Sequence, residues 1–556
     1  MSSGTDAQPS PFWPWLESGA LALAIVFLLL LAFSNLAVPS LWHDELVHVY
    51  VAKNIAEHGW PALPSGQFYP SSLAYNVLLG GVVALFGDGP MAVRSPSVLL
   101  SALNVLLLYL LARRLVGRPA ALVAAFALAL SPWQVAWARE ARFYSLQATA
   151  YLLVLWATWQ AFQAPSPRVA ARWAAAAVVA YTLGMLTSYH SILFLGTVGG
   201  YAILMGLSEK RLRSRWTVAA VVCTVLGLLT IASLFCIPNR ADQAAVFSTG
   251  LGGRIPDPQR NVRLYYPRWL IENLSTGFFL LAVLGTGLLP WKERRRGLYV
   301  ALAFWVPVLV LTFLIGYRRP RFMFFAFPLY TLLCAYALVQ LAQWAGLYRR
   351  SRWHAVAAAG ILVFGLRLGL SAARLTGDSI EAAGGAHVTL AQRHPQWQKP
   401  CAYVRAQAEG HSILATTFLP VYHYAGRVDN WFPNRYTRWE EQESGMAGLA
   451  SLDELQAFLL VHPKGFFLAE SARWEMYAGH SQLTDLKAEV QWVEAHMRRI
   501  PEACSADVTV YAWNFKSGGI QSGLEWPVIP KFNLKGEEKL VDKLNRTLGV
   551  MSNELP

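Results

Sequence analysis

LALAIVFLLLLAFSNLAVPSLWHDELVHVY, residues 21–50, sets a long apolar run directly before the adjacent acids Asp44 and Glu45. The run is long enough to cross a bilayer core as a helix. The pair matters because acids are scarce around it: the first 375 residues hold 12 Asp and Glu against 30 Lys and Arg. One reading of the pair is a helix start, where negative charge suits the macrodipole. The other is a reacting carboxylate at the membrane surface, and the rest of the chain bears on the choice.

Apolar runs continue to about residue 373 of a 556-residue chain that is 55% hydrophobic. Basic clusters separate them: RRLVGR (113–118), SPRVAARW (166–173), KRLRSR (210–215), KERRR (292–296) and RRSR (349–352). Short positive loops face the cytoplasm. Each consecutive pair leaves room for two spans, which predicts about eleven (10–13) transmembrane helices near 19–37, 95–112, 118–132, 142–163, 173–188, 191–207, 216–237, 271–290, 298–316, 322–346 and 354–373. The N-terminus has no basic n-region and the first run no small-residue cleavage site, so 19–37 is read as a retained span and 1–18 as a cytoplasmic segment. SSLAYNVLLGGVVALFG (71–87) is short for a span and reads equally as an interfacial or re-entrant helix.

Residues 376–556 differ, with 21 acids and 17 basic residues. The chain thus divides into a membrane part of formal charge +18 and a tail of −4 within a total of +14. The basic excess is scattered between spans and follows membrane topology, which excludes a nucleic-acid-binding face. HSILATT (411–417), KGFFLAE (464–470) and DVTVYAW (507–513) read as strands, and SLDELQAFLL (451–460) and 483–499 as helices. The tail is therefore expected to be a small extracytoplasmic α/β domain, in which Cys401 and Cys504 could pair. Its segment YHYAGRVDNWF (422–432) suits docking or acceptor recognition.

With the basic loops inside, the other face collects the remaining polar features. Asp44 has the character of a general base that takes a proton from an acceptor hydroxyl or amine. His48 lies one helical turn from Asp44. The His43–His48 spacing does not fit a two-histidine zinc helix. A divalent cation held by Asp44, His48 and a residue of another loop stays open beside the metal-free reading. SPWQVAWAREARFYSL (131–146) brings Glu140, Arg142 and Tyr144 to the start of a span, where intramembrane charge tends to be functional. Arg139 and Trp137 in the same stretch read as interface anchors. SYHS (188–191) places His190 in a tight turn, as a packing residue or a site residue. YRRPRF (317–322) carries Arg318, Arg319 and Arg321 against the positive-inside trend, and guanidinium forks match phosphate oxygens. The loop 238–270 adds Arg263, Tyr265 and Tyr266.

The acidic pair after span one, the P-x5-AREARFYSL stretch, the TSYHS turn and RPRF-x5-P, in this order, resemble bacterial members of glycosyltransferase family 39. These are relatives of protein O-mannosyltransferases and of the lipid A aminoarabinose transferase, with the GT-C membrane fold. The resemblance covers 19 to about 346 and implies an inverting glycosyltransferase. A sugar would leave a polyprenyl-phosphate carrier for a lipid, glycan or protein acceptor on the outer face of the bacterial plasma membrane. It implies Asp44 as base, with Glu45 beside it, and arginines on the departing phosphate. It also implies a domain plan of 19–375 as the GT-C domain, with juxtamembrane helices in 38–94, and 376–556 as the outer domain. A polytopic transporter or lipid flippase is the rival class, but it calls for charges near the bilayer midplane and repeated halves. The spans here are largely uncharged in their middles.

Overall fold

The computed structural model describes residues 13–208, 264–315, 318–344, 395–407, 409–433, 438–474 and 484–514. They form two compact units, one comprising 13–36 and 70–344, the other 37–69 and 395–514.

The first unit is helical, and its helices begin where the sequence supplies starts. Proline stands in the first turn of Pro90–Leu115, Arg118–Ala129, Pro132–Ala138 and Pro167–Thr187, where its missing N–H costs nothing. Further helices are Trp13–Phe33, Tyr144–Gln163, Leu193–Ser208, Tyr265–Asn273, Thr276–Lys292, Arg294–Phe313 and Phe327–Trp344. Among the described residues, four helices are long and apolar enough to cross a membrane: Pro90–Leu115, Pro167–Thr187, Arg294–Phe313 and Pro320–Trp344. The span expected at 118–132 is a pair, Arg118–Ala129 and Pro132–Ala138, which together are long and apolar enough to cross a membrane but are bent by 57°. Pro132 accounts for the break, since it cannot donate into the preceding turn and holds Ser131 extended. The 71–87 stretch forms Leu73–Phe86, whose 14 residues reach only about 21 Å at 1.5 Å per residue, short of a bilayer core of ~30 Å. The spans expected at 216–237 and 354–373 lie outside the described residues.

Polar pairs and close backbone contact fix the helices in register. Ser101 Oγ meets Ser145 Oγ at 2.9 Å, Asn104 Nδ2 donates to the Ser145 carbonyl at 3.0 Å, and Thr149 Oγ1 donates to Asn104 Oδ1 at 2.8 Å. These bonds join Pro90–Leu115 to Tyr144–Gln163 in surroundings that offer no water as an alternative partner. A Cβ at Gly285 would lie 2.2 Å from the Leu333 carbonyl oxygen, so Thr276–Lys292 and Phe327–Trp344 touch backbone to backbone. Buried Glu17 pairs with Arg113 and Arg118, both at 3.5 Å, and accepts from the Tyr109 hydroxyl. The start of the first helix and the first basic loop therefore lie at one end of this unit.

The second unit is α/β. Strands β1 (Ser412–Ala415), β2 (Asn430–Trp431), β3 (Lys464–Glu470), β4 (Arg498–Arg499) and β5 (Val508–Asn514) form a sheet of order β2-β1-β3-β5-β4. β1 runs parallel to β2 and β3, whereas β5 pairs antiparallel with β3 and β4. The three strands expected from sequence are β1, β3 and β5. Helices Leu452–Val461 and Thr484–His496 supply Leu455, Phe458, Val490 and Val493 to a core with Phe467, Tyr511 and Trp513. Cys401 and Cys504 are free thiols, not a disulfide.

The sequence reading assigns 38–94 to the membrane domain, whereas the structure divides it. Residues 37–69, with helix His43–His58, fold with the tail. The Leu41 N–H donates to Tyr424 Oη at 2.6 Å, the Trp397 N–H donates to Ser40 Oγ at 3.1 Å, and Tyr50 packs on Tyr422 at 5.6 Å. The aromatic segment 422–432 thus docks on the stretch that bears the acidic pair.

Candidate functional site

In the second unit, the acids open helix His43–His58 as a first turn. Glu45 is fully buried, and its Oε2 accepts from the Trp42 N–H at 3.2 Å, which gives it the helix-start role. Asp44 is half-buried beside it. His48 is buried one turn on, edge-on to Tyr69 at 6.5 Å between ring centres. On the other side of Asp44, His43 Nε2 lies 3.0 Å from Glu443 Oε1. Glu443 is buried, and Ser65 fixes its backbone: the Ser65 N–H donates to the Glu443 carbonyl at 3.1 Å and Ser65 Oγ to the Gln442 carbonyl at 2.5 Å. Among the described residues, no three His, Cys, Asp or Glu side chains gather as a metal-ligand set.

In the first unit, the break between Pro132–Ala138 and Tyr144–Gln163 carries Arg139, Glu140 and Arg142. Arg139 turns to the end of the first helix, donating to the carbonyls of Leu31 at 3.2 Å and Ser34 at 2.5 Å. Arg94, fully buried, donates to the Leu36 carbonyl at 2.9 Å. These carbonyls have no further turn to bond, so two guanidinium groups serve as their cap. Glu140 is buried, and its carbonyl accepts from the Arg142 N–H at 2.7 Å. Arg142 lies against the Phe143 and Tyr144 rings, 5.6 Å from each centroid.

The 188–191 turn and the RPRF segment meet. His190 is stacked between Tyr189 and Phe322, 4.3 Å from each, and its Nδ1 lies 3.3 Å from Ser188 Oγ. Phe322 belongs to a 3-10 turn, Pro320–Ala326, preceded by half-buried Arg318 and Arg319. The hydroxyl of fully buried Tyr266 donates to the Arg319 carbonyl at 3.0 Å and accepts from the Arg319 N–H at 3.3 Å. Tyr265, named from sequence, stands edge-on to Tyr266 at 5.1 Å, so its neighbour makes the contact. Phe324 faces Trp137 at 6.3 Å, and Trp137 faces Tyr144 at 4.6 Å, which links the RPRF segment to the 139–144 break.

The structure therefore brings together His190, Tyr265, Arg319 and Arg321 in one cluster, with Arg142 and Tyr144 joined through aromatic rings. Asp44, Glu45 and His48 belong to the other unit, and Arg263 lies outside the described residues. Sequence reasoning missed Arg94 and Glu443. Arg94 carried one signal, a charge near the start of an apolar helix whose other arginines lie at its far end; Glu443 sits in an ordinary acidic stretch and carried none.

Residues 71–235 match the family described as Dolichyl-phosphate-mannose-protein mannosyltransferase. The comparison with curated proteins finds no match. Among solved structures, the chain is similar to ArnT from Cupriavidus metallidurans bound to undecaprenyl phosphate, with TM-score 0.62, 15% identity, and coverage of 92% of this chain and 100% of that one. The apo state of ArnT matches at TM-score 0.57 and 15% identity, covering 90% and 98%. The archaeal oligosaccharyltransferase AglB from Archaeoglobus fulgidus, in complex with an inhibitory peptide and a dolichol-phosphate, matches at TM-score 0.56 and 11% identity, covering 92% and 76%. Residues 71–235 thus carry the match to that mannosyltransferase family, and the chain shares the fold of ArnT and AglB.

Proposed function

We propose that this protein moves a sugar from a polyprenyl-phosphate carrier to a lipid, glycan or protein acceptor on the outer face of the bacterial plasma membrane. The observation that carries the reading is the fold match along the whole of ArnT, a structure that holds undecaprenyl phosphate. The rest of the proposed arrangement is about eleven (10–13) spans, a cytoplasmic N-terminus and an outer tail domain. The pairing of Glu17 with the 113–118 loop supports that orientation, since it sets the first helix's start beside a basic, inward-facing loop.

In the reaction, the acceptor oxygen or nitrogen bonds to the anomeric carbon while the bond from that carbon to the phosphate oxygen breaks. Asp44 takes the acceptor's proton. The electron pair leaves with the lipid phosphate, whose charge calls for fixed cations. Arg318, Arg319 and Arg321 have that character, with Arg142 as a further cation and Arg263 as a candidate from the long loop. His190, Tyr265, Tyr144 and Glu140 serve as substrate-binding or supporting residues. The backbone bonds from Tyr266 and the stacking of Phe322 on His190 support this assignment, because they hold the arginine segment in one conformation.

The test compares envelope lipids and glycans by mass spectrometry in cells carrying wild type, Asp44→Asn or Arg319→Ala/Arg321→Ala at matched membrane levels. The expected result is a sugar-sized mass increment that both variants lose. An unchanged profile in Asp44→Asn cells, with wild type complementing a deletion, would overturn the reading.

A further inference from the structure

We propose that Glu443, about 400 residues away in sequence, is a positioning residue for this transfer, acting through His43 on Asp44. The inference rests on the functional reading given above.

Asp44 sits between two restrained neighbours. On one side Glu45 is buried and its carboxylate holds the Trp42 N–H. On the other side His43 is held at 3.0 Å by Glu443, a carboxylate only 7% exposed. The backbone around Glu443 is itself restrained by Ser65, which donates to the carbonyls of Glu443 and Gln442. Its second oxygen is buried and makes no hydrogen bond among the described residues, so the imidazole is the partner that justifies an acid at this depth. A buried carboxylate is costly, and a helix start needs only a small polar cap. The geometry points to a tail that holds the first turn of helix His43–His58 from outside it, so that the Asp44 carboxylate meets an acceptor in one orientation. Small displacements of a reacting group cost large factors in rate, which is what a second support would prevent.

The experiment uses the full chain in membranes and follows the initial rate of the sugar-sized mass increment, with folded protein level measured by fluorescence-detected gel filtration. Glu443→Gln and His43→Ala are each expected to lower the rate on the order of 10- to 100-fold at matched folded level. Glu443→Asp should recover part of the loss. The double variant should lose no more than either single, because the two residues act as one unit. A structural role alone would leave one outcome different: in an Asp44→Glu background, whose longer side chain is already displaced, Glu443→Gln should add nothing, whereas a general loss of stability would multiply. If Glu443→Gln does not fold, His43→Ala removes the same contact from the other end and carries the test. Wild-type rates in both Glu443→Gln and His43→Ala, with Asp44→Asn inactive, would overturn the inference and leave the functional reading standing. Full activity in Asp44→Asn would sink both.

Discussion

Asp44 and Glu45 share a peptide bond but not an environment. Glu45 is fully buried and bonded to the Trp42 N–H, whereas Asp44 is half-buried between two anchored residues. The two readings of the pair therefore divide between its members. Glu45→Ala is expected to destabilise the second unit by about 1 kcal/mol, the usual worth of a helix-start contact. A melting curve of the purified protein checks this, and Asp44→Asn should leave that curve close to wild type. Sequence alone names both acids but does not rank them by burial, since a first turn places adjacent side chains on different faces. It likewise places His190 in a tight turn without foreseeing the Tyr189–His190–Phe322 stack, because Phe322 comes from a segment more than 100 residues later.

At the level of elements, the helices were the most legible part. Long apolar runs admit few alternatives in a chain this hydrophobic, and prolines mark several starts. The three main strands were legible as well, because each is a short, largely apolar run that the sheet then buries. The bend at Pro132 was not legible: the run around it is continuously apolar, so hydropathy hides what a missing N–H does. Backbone contact between helices is invisible to hydropathy too, and Gly285 and Gly287 separate the two cases. A Cβ at Gly285 meets the Leu333 carbonyl at 2.2 Å, whereas at Gly287 nothing lies within 4 Å. Gly285→Val should therefore cost about 1–3 kcal/mol or more by overpacking, and Gly287→Ala should be neutral or slightly stabilising. Thermal stability in detergent distinguishes the two.

For the whole molecule, the division into units is what sequence concealed most. Residues 37–69 fold with the tail, and pairing over such a separation leaves no local signature. One consequence concerns pH. His462, after helix Leu452–Val461, lies with Nδ1 2.9 Å from Ser412 Oγ and stacks on Phe458 at 4.2 Å. Burial lowers its pKa below the ordinary histidine value, and Asp429 pulls it back part of the way. The folded unit thus takes this proton less readily than the unfolded chain. Its contribution to stability is complete above the unfolded value, near ~6.5, and is lost as pH falls below it. His462→Gln should flatten the fall in melting temperature between about pH 7 and pH 5, a range bracketing that value. The other consequence is one of timing. Ser40 and its partner Gln396 are 356 residues apart in the chain. At about 5–20 residues per second, a ribosome needs roughly 20–70 s to travel between them. Throughout that interval the helix bearing the acids is made but its partners in the tail are not, so the protein cannot assemble this unit while its first helices are being inserted, and acquires it only once the tail has been made.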